Sequence, residues 1–520
     1  MNREEHKKLY EMNRRRFLEM TGIGGLAVLS STSLFGLEFP GLAHAQVAGK
    51  NAEERAINGV KALKSKMKGN TLNIMVPSGG EGSFTAAKPW WEKATGIKLN
   101  IVVVPMDQIV QKSMNLAVTK SSDFDLLLPS PFGLPDLIEA KLALDLTNFT
   151  KKHNPEIAGP NGVIPPIYLF GMYKGKLYGL VTDGDVNSLI IRRDWLEDPN
   201  NQKVFADKFG YPLARPVLYK ELFDQMKFFT NREKGTYGAW IFVSPFYAKW
   251  EFLQLLTPRG VLPFDKDMHP QIAGAEGVAA LEEIIAMKPY LHPGCSTGGW
   301  SEQYKAYAEG NIWAAFAWPS FIKYMNFTDF SKIPGKIAVC KVPGMKLKSG
   351  MILRPCRFTF SWAYMVSRYS KNPEITYLYS QWMWSPTISI KHIPVKGGYF
   401  DVYRYSHIKS DELLKQYDPH IQEVREALTF NLENAYPELI LVGGDEYMTR
   451  LDENVIAAYQ GLKKPDKALK ETADQWEEIT ERFGREKQKE QWNFLTSCFG
   501  ANLRKEMNLP NPPDWVEKLG

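Results

Sequence analysis

Between residues 71 and 140 the apolar residues keep changing period, and this constrains the fold more than any other feature. Residues 71–76 predict a buried strand and 84–95 a helix stopped by Gly96. Lys98–Val104 predicts a second strand. A helix follows to about Lys120, capped by Asp107, with Ile109, Val110, Met114 and Val118 on one stripe. Residues 124–128 predict a third strand and 134–140 a third helix. Strands alternating with helices imply a mainly parallel sheet covered on both faces. In such sheets ligands sit beyond the carboxyl ends of the strands, where the loops 77–83 and 129–133 fall. A helical lead-in precedes this block, with Ala52, Ala56, Val60 and Leu63 spaced for one face.

The loop 77–83, Pro77-Ser78-Gly79-Gly80-Glu81-Gly82-Ser83, lacks the Gly-Lys-Ser/Thr ending of a phosphate loop, and its glycines do not make GxGxxG. It predicts a strand-to-helix turn or a ligand-facing loop. Farther on, Lys174-Gly175 predicts a hairpin turn. The extended stretch after it carries Thr182-Asp183-Gly184-Asp185 among apolar neighbours. Carboxylates are costly to bury alone. Asp183 and Asp185 are therefore expected to be solvated, paired with a cation such as Arg192 or Arg354, or aimed at a polar ligand.

Residues 1–45 resemble a secretory leader. Arg14-Arg15-Arg16-Phe17-Leu18 precedes a short apolar stretch diluted by glycine and serine, which exits at Ala43-His44-Ala45. The adjacent arginines resemble the twin-arginine signal, which a receptor reads and which is not an anchor. The stretch is shorter than the roughly 20 residues that span a bilayer. Cleavage near Ala45 is expected, and the leader holds no cysteine to carry a lipid.

The 520 residues allow roughly three domains, or two large ones. Net charge is +6 without a basic stripe, which argues against nucleic acid as partner. The 8 histidines form no HExxH and the 4 cysteines no CxxC, so no metal, cofactor or redox centre is expected. Cys340 and Cys356 could pair, and spacing leaves their connectivity open. Aromatic residues reach 12%, which suits a protein that grips flat ligands.

An ordered set of weak motifs runs through residues 124–469. Phe124-Asp125-Leu126-Leu127 is followed by Leu142-Ala143-Leu144-Asp145-Leu146, then Gly175-Lys176-Leu177-Tyr178-Gly179 with Arg193-Asp194-Trp195-Leu196. The segments 218–230, 304–315, Val342-Pro343-Gly344, 360–367 with Lys371-Asn372-Pro373-Glu374, and Gly461 with 465–469 follow. In this order they resemble the extracellular solute-binding proteins of family 1, the maltose-binding-protein-like group. Val181 stands where that pattern has proline, the usual tryptophan near Tyr219 is absent, and the chain is longer at its carboxyl end.

The resemblance implies an α/β, type II periplasmic-binding-protein-like fold. Two discontinuous lobes would be joined by a hinge, with the ligand cleft between them. Lobe 1 would comprise 46–182 with part of 360–435, and lobe 2 would comprise 188–357 with part of 436–485. Residues 486–520 form an extension. Crossing segments are expected at 181–189, 358–365 and 431–441. The implied role is that of a periplasmic receptor of an ABC importer. It would be a monomer exported by the twin-arginine translocase, closing on a carbohydrate and delivering it to permease subunits, with no catalysis and no cofactor.

Asp185 falls at an acidic crossover position of the family, with Asp183 on the same strand face. Carboxylates accept several hydroxyl hydrogen bonds. Phe246 and Trp318 fall at stacking places, Trp362 lies on the second crossing, and Ser130, Glu81 and Tyr399 lie in cleft loops. Arg354 and Arg357 would clamp an anion or pair with acids at the hinge. A polyamine or phosphorylated polyol as ligand, and an exported glycan-active enzyme, remain as alternatives.

Overall fold

The computed structural model describes residues 47–513 apart from Pro166. The leader and the final residues of the extension lie outside the described residues. The lead-in forms the helix Ala52–Leu63, capped by the Asn51 side chain on Glu54 N, with Ala52, Ala56 and Val60 buried. It packs on the helix Pro373–Trp384, which belongs to the same body despite its distance in sequence.

The first sheet contains β1 (Thr71–Pro77), β2 (Lys98–Val104), β3 (Leu126–Leu127), β6 (Leu180–Val181) and β14 (Ala363–Val366), in the order β2-β1-β3-β14-β6. β1 runs parallel to β2 and β3, as the alternation predicts. Between β1 and β2 the helix Glu81–Thr95 ends at Gly96, whose φ of 67° supplies the left-handed cap. β14 departs from the parallel expectation, running antiparallel to both neighbours. It enters from the other lobe rather than through a helical crossover, so its direction is not bound by the right-handed βαβ rule. Ahead of β6, the hairpin β4 (Met172–Tyr173) and β5 (Lys176–Leu177) turns at Lys174 and Gly175, with φ of 48° and 72°. Positive φ at both central residues is the turn that matches strand twist.

The second sheet has the order β10-β7-β9-β8, from β7 (Ser188–Arg192), β8 (Tyr237–Trp240), β9 (Ile312–Ala317) and β10 (Ile337–Cys340). β7 also enters from the opposite lobe and is antiparallel to β9 and β10, whereas β8 and β9 are parallel. A small hairpin, β11 (Met345–Lys346) with β12 (Ile352–Leu353), precedes the return to the first sheet.

Two segments pass directly between the sheets, 182–187 and 359–362. Thr182 N donates to Trp362 O at 2.8 Å and Asn187 N to Arg357 O at 3.1 Å, so they run side by side. β13 (Cys356–Phe358) pairs in parallel with β15 (Ala435–Pro437). β15 lies beside the crossings, but the helices flanking it, Ile421–Glu433 and Gly444–Tyr459, both pack on elements of the second lobe. All four cysteines are free and buried. Cys340 sits on β10 and Cys356 on β13, where its Sγ faces Asn187 O at 2.9 Å, so the two form no pair.

The extension continues as the helices Arg485–Ser497 and Ala501–Glu506. Gln488 Nε2 donates to Val442 O at 2.8 Å. Gln491 Oε1 accepts from Val442 N at 3.1 Å, and its Nε2 donates to Tyr173 Oη at 2.9 Å. Trp492 packs edge-on to Phe264, and Gly500 N donates to Ala435 O at 2.7 Å. The extension thus ties the β4–β5 hairpin, the segment after β15 and the second lobe together. Among the described residues no helix is long and apolar enough to cross a membrane.

Candidate functional site between the lobes

A cavity of about 290 Å³ opens between the loops that follow β2 and β3 and the lobe that faces them. Ser130 and Phe132 line it from the loop after β3, with Gln111 from the helix after β2. Phe246 contributes from the loop after β8, Phe360 and Trp362 from the second crossing, and Asp445 from the first turn of Gly444–Tyr459. It therefore lies at the carboxyl ends of parallel strands, the place the topology favours for ligands.

The aromatic lining is held in an unusual backbone. Phe360 and Ser361 are consecutive left-handed residues with φ of 67° and 46°, and Phe246 has φ of 78°. Such conformations cost roughly 1–3 kcal/mol each and persist where surroundings over-determine them. Here the surroundings do so. Ser130 Oγ donates to Phe360 O at 2.6 Å, Asp185 Oδ2 accepts from Ser361 N at 3.0 Å, and Ser361 Oγ donates to Asp183 O at 2.6 Å. Asp452 accepts from Phe246 N at 2.6 Å and from Lys249 N at 3.0 Å. The Phe360 ring stacks on Trp362 at 5.6 Å and meets Trp250 edge-on at 4.7 Å and Trp318 at 5.5 Å.

Asp183 and Asp185 lie behind this crossing. Both are buried, and together with Asp401 each places one carboxylate oxygen within 4.8 Å of the others. Gly184 explains the convergence. A Cβ there would meet Val402 O at 1.8 Å, so only glycine lets the 400–402 segment approach. Asp401 N then donates to Asp183 Oδ1 at 2.6 Å. Burial raises Asp183 and Asp185 well above the usual carboxylate range, and charge repulsion within the trio adds to it. Burial also pushes Asp401 up to about 7, against the pull of Lys323. Lys323, wholly buried, is brought down to about 8 by its own desolvation, while Asp401 and Asp183 hold it up. Three carboxylates at this spacing would suit an oxygen-ligated cation; the positive charge these residues supply is that of Lys323. Among the described residues neither aspartate pairs with an arginine. Arg192 is forked on Asp194, and Arg354 caps Val342 O. Arg357 pairs with Glu251 at 3.1 Å, the acid-paired alternative.

Of the residues singled out in the sequence, Ser130, Phe246 and Trp362 line the cavity. Trp318 is buried beside Phe360, its Nε1 donating to Thr359 Oγ1 at 3.0 Å. Glu81 turns back on its own loop, its Oε2 accepting from Gly79 N at 2.6 Å. Tyr399 stacks on Tyr324 at 4.7 Å and meets Trp300 at 4.5 Å, next to Gly79. Sequence reasoning missed Asp401, Lys323, Phe360, Gln111 and Asp445. Phe360 and Trp362 stand two residues apart within the expected second crossing, a signal that was available. Asp401 and Asp445 carry no local pattern.

A two-lobed body with an aromatic cavity at its crossings defines a binding protein for small solutes. The family model for bacterial extracellular solute-binding proteins matches residues 79–388, more than half of the chain, and the chain belongs to that family. Its fold is that of the type II periplasmic binding proteins. An ABC transporter solute-binding protein from Agrobacterium radiobacter K84, solved with ribitol, is 18% identical with a TM-score of 0.67 over 79% of this chain and 99% of that one. The maltose-bound MalE3 of T. maritima is 17% identical with a TM-score of 0.66 over 79% and 99%. A solute-binding protein from Agrobacterium vitis S4 with bound D-mannitol is 18% identical with a TM-score of 0.65 over 80% and 99%. No curated protein matches the sequence.

Proposed function

We propose that this chain is the receptor of an ABC importer for a small polyhydroxylated solute, a sugar or polyol, held in the cavity between its lobes. The observation that carries the reading is the cavity itself. Rings from both lobes and a crossing supply faces for sugar C–H groups, and Ser130, Gln111 and Asp445 supply polar atoms. Its volume of about 290 Å³ sits at the small end of the roughly 300–1,000 Å³ typical of ligand pockets. That favours one sugar ring or a short polyol over an oligosaccharide. The ligands of the similar structures, ribitol, maltose and D-mannitol, support the same class.

In this reading Ser130, Phe246 and Trp362 touch the solute, with Phe132, Phe360, Gln111 and Asp445. Asp183 and Asp185 hold the crossing behind it. Trp318 backs Phe360, and Glu81 and Tyr399 shape the loop after β1. Lobe 1 is 46–182 with its return strand, and lobe 2 is 188–357 with later helices. Solute favours the closed arrangement because only there do both lobes touch it. The protein acts as a monomer without catalysis and hands its solute to permease subunits. It works in the periplasm, after twin-arginine export and cleavage near Ala45.

A thermal-shift panel of pentoses, hexoses and their polyols tests this. One solute should stabilise the purified mature chain, by about 2.7 kcal/mol at 100 times its Kd. Failure of every member to shift the melting temperature, or turnover of the stabilising one, overturns the reading.

A further inference from the structure

Gln491 stands where the extension meets both lobes. Its Nε2 donates to Tyr173 Oη at 2.9 Å, on the β4–β5 hairpin of the first lobe, and its Oε1 accepts from Val442 N at 3.1 Å. The next residue of that segment, Gly443, donates its N–H to Asp136 Oδ1 at 2.8 Å, on the first-lobe helix Leu134–Glu139. The two backbones run close here, since a Cβ on Gly444 would lie 3.0 Å from Phe132 O.

The rest of the helix Arg485–Ser497 faces the second lobe. Lys489 pairs with Asp267 at 2.8 Å, Asn493 Nδ2 donates to Lys266 O at 3.3 Å, and Trp492 meets Phe264 edge-on at 5.7 Å. The helix is thus anchored on the second lobe and reaches the first through Gln491 and through the segment it grips. Phe132 and Asp445, one from each side of this junction, line the cavity. Parting the lobes at the cavity therefore breaks Gln491 from Tyr173 and Gly443 from Asp136.

A second seam joins the lobes at the helix Pro319–Asn326, which follows β9. Lys323 Nζ donates to Ile393 O at 2.8 Å, and Tyr324 Oη accepts from Gly397 N at 3.0 Å. Residues 393–397 follow the helix Pro386–His392, which packs on Glu81–Thr95 of the first lobe. Lobes joined by crossings alone rely on solute to favour closure. In this chain the protein itself supplies contacts that do so.

We infer that the extension is a clasp that holds the lobes closed in the empty protein, with Gln491 as its contact on the first lobe. A solute that meets a site already in its binding arrangement loses no affinity to a population shift. The clasp acts whatever the solute is.

The test needs no solute. The mature chain, extension included, is spin-labelled at Val118→Cys in the first lobe and Lys234→Cys in the second, both exposed, while the native cysteines are buried. Pulsed dipolar spectroscopy should give a single narrow distance. Gln491→Ala combined with Asp136→Ala, which cuts both first-lobe ties, should add a longer one. Among single variants, exchange of the Gly443 amide should quicken about fivefold in Gln491→Ala and in Tyr173→Phe, which removes only the hydroxyl. It should stay within about twofold in Lys489→Ala, which loosens only the second-lobe end. Two distances in the unaltered chain, a distance that the double variant leaves unmoved, or unchanged Gly443 exchange in Gln491→Ala and Tyr173→Phe overturns the clasp. Equal quickening in Lys489→Ala also overturns it, by showing a general loosening of the extension. Each of these failures leaves the solute-receptor reading standing.

Discussion

At the scale of single residues, Asp185 holds a shape. Its Oδ2 accepts the Ser361 amide and so fixes the second of two consecutive left-handed residues in the crossing. Asp185→Ala leaves a buried amide without an acceptor and should cost about 1–3 kcal/mol in urea unfolding. Asp185→Asn keeps an acceptor oxygen and removes one charge from a crowded trio, so its unfolding midpoint should equal or exceed the parent's. A loss of the same size in both variants would show that charge, rather than the acceptor, matters at this position. The sequence made Asp183 and Asp185 conspicuous because two carboxylates interrupt an apolar run. It could not show their environment, since Lys323 and Asp401 reach them from segments with no periodic relation to residue 185. Gly184 links the two views. Its missing Cβ makes room for Val402 and brings Asp401 into place.

Individual elements were legible wherever one period ruled. β1, β2, the helix after each, and the hairpin at Lys174-Gly175 stand within a few residues of their expected places. The direction of β7 and β14 was not legible, because both take partners from distant sequence. The helix Arg485–Ser497 was not legible either, since what stabilises it is contact with Val442, Tyr173 and Phe264 rather than any cap or motif of its own. Trp492, Leu495, Phe499 and Leu503 are buried there. Burial of such side chains contributes roughly 1.5–3 kcal/mol each. A chain ending at Gly484 should therefore melt at least about 10 °C lower by circular dichroism. Amide exchange should quicken around residues 435–442, which lose Gln488, Gln491 and Gly500 as partners. An unchanged melting temperature would make the extension an appendage.

The molecule as a whole titrates in two opposing ways. Asp401 and Glu438, driven up to about 7 by burial, return to about 4 when unfolded. The folded state then binds more protons across that window, so their contribution to stability falls as pH rises from 4 to 7. Burial brings His392 down to about 4 and lowers His407 as well. The folded state binds fewer protons there, and this contribution rises with pH up to the ordinary histidine value. A difference between variants isolates one side of it. Asp401→Asn should gain on the parent by about 2 kcal/mol between pH 5 and pH 8 in urea unfolding, and a constant difference would mean that Asp401 titrates normally.

The placement of β14 also sets a timetable. It is the strand between β3 and β6, and Ser130 beside β3 waits for Phe360, 230 residues later in the chain. At about 5–20 residues per second the ribosome needs roughly 10–50 s to supply that partner. Throughout that interval two strand edges of the first lobe stay open on the nascent chain, a period when it needs shielding from its neighbours.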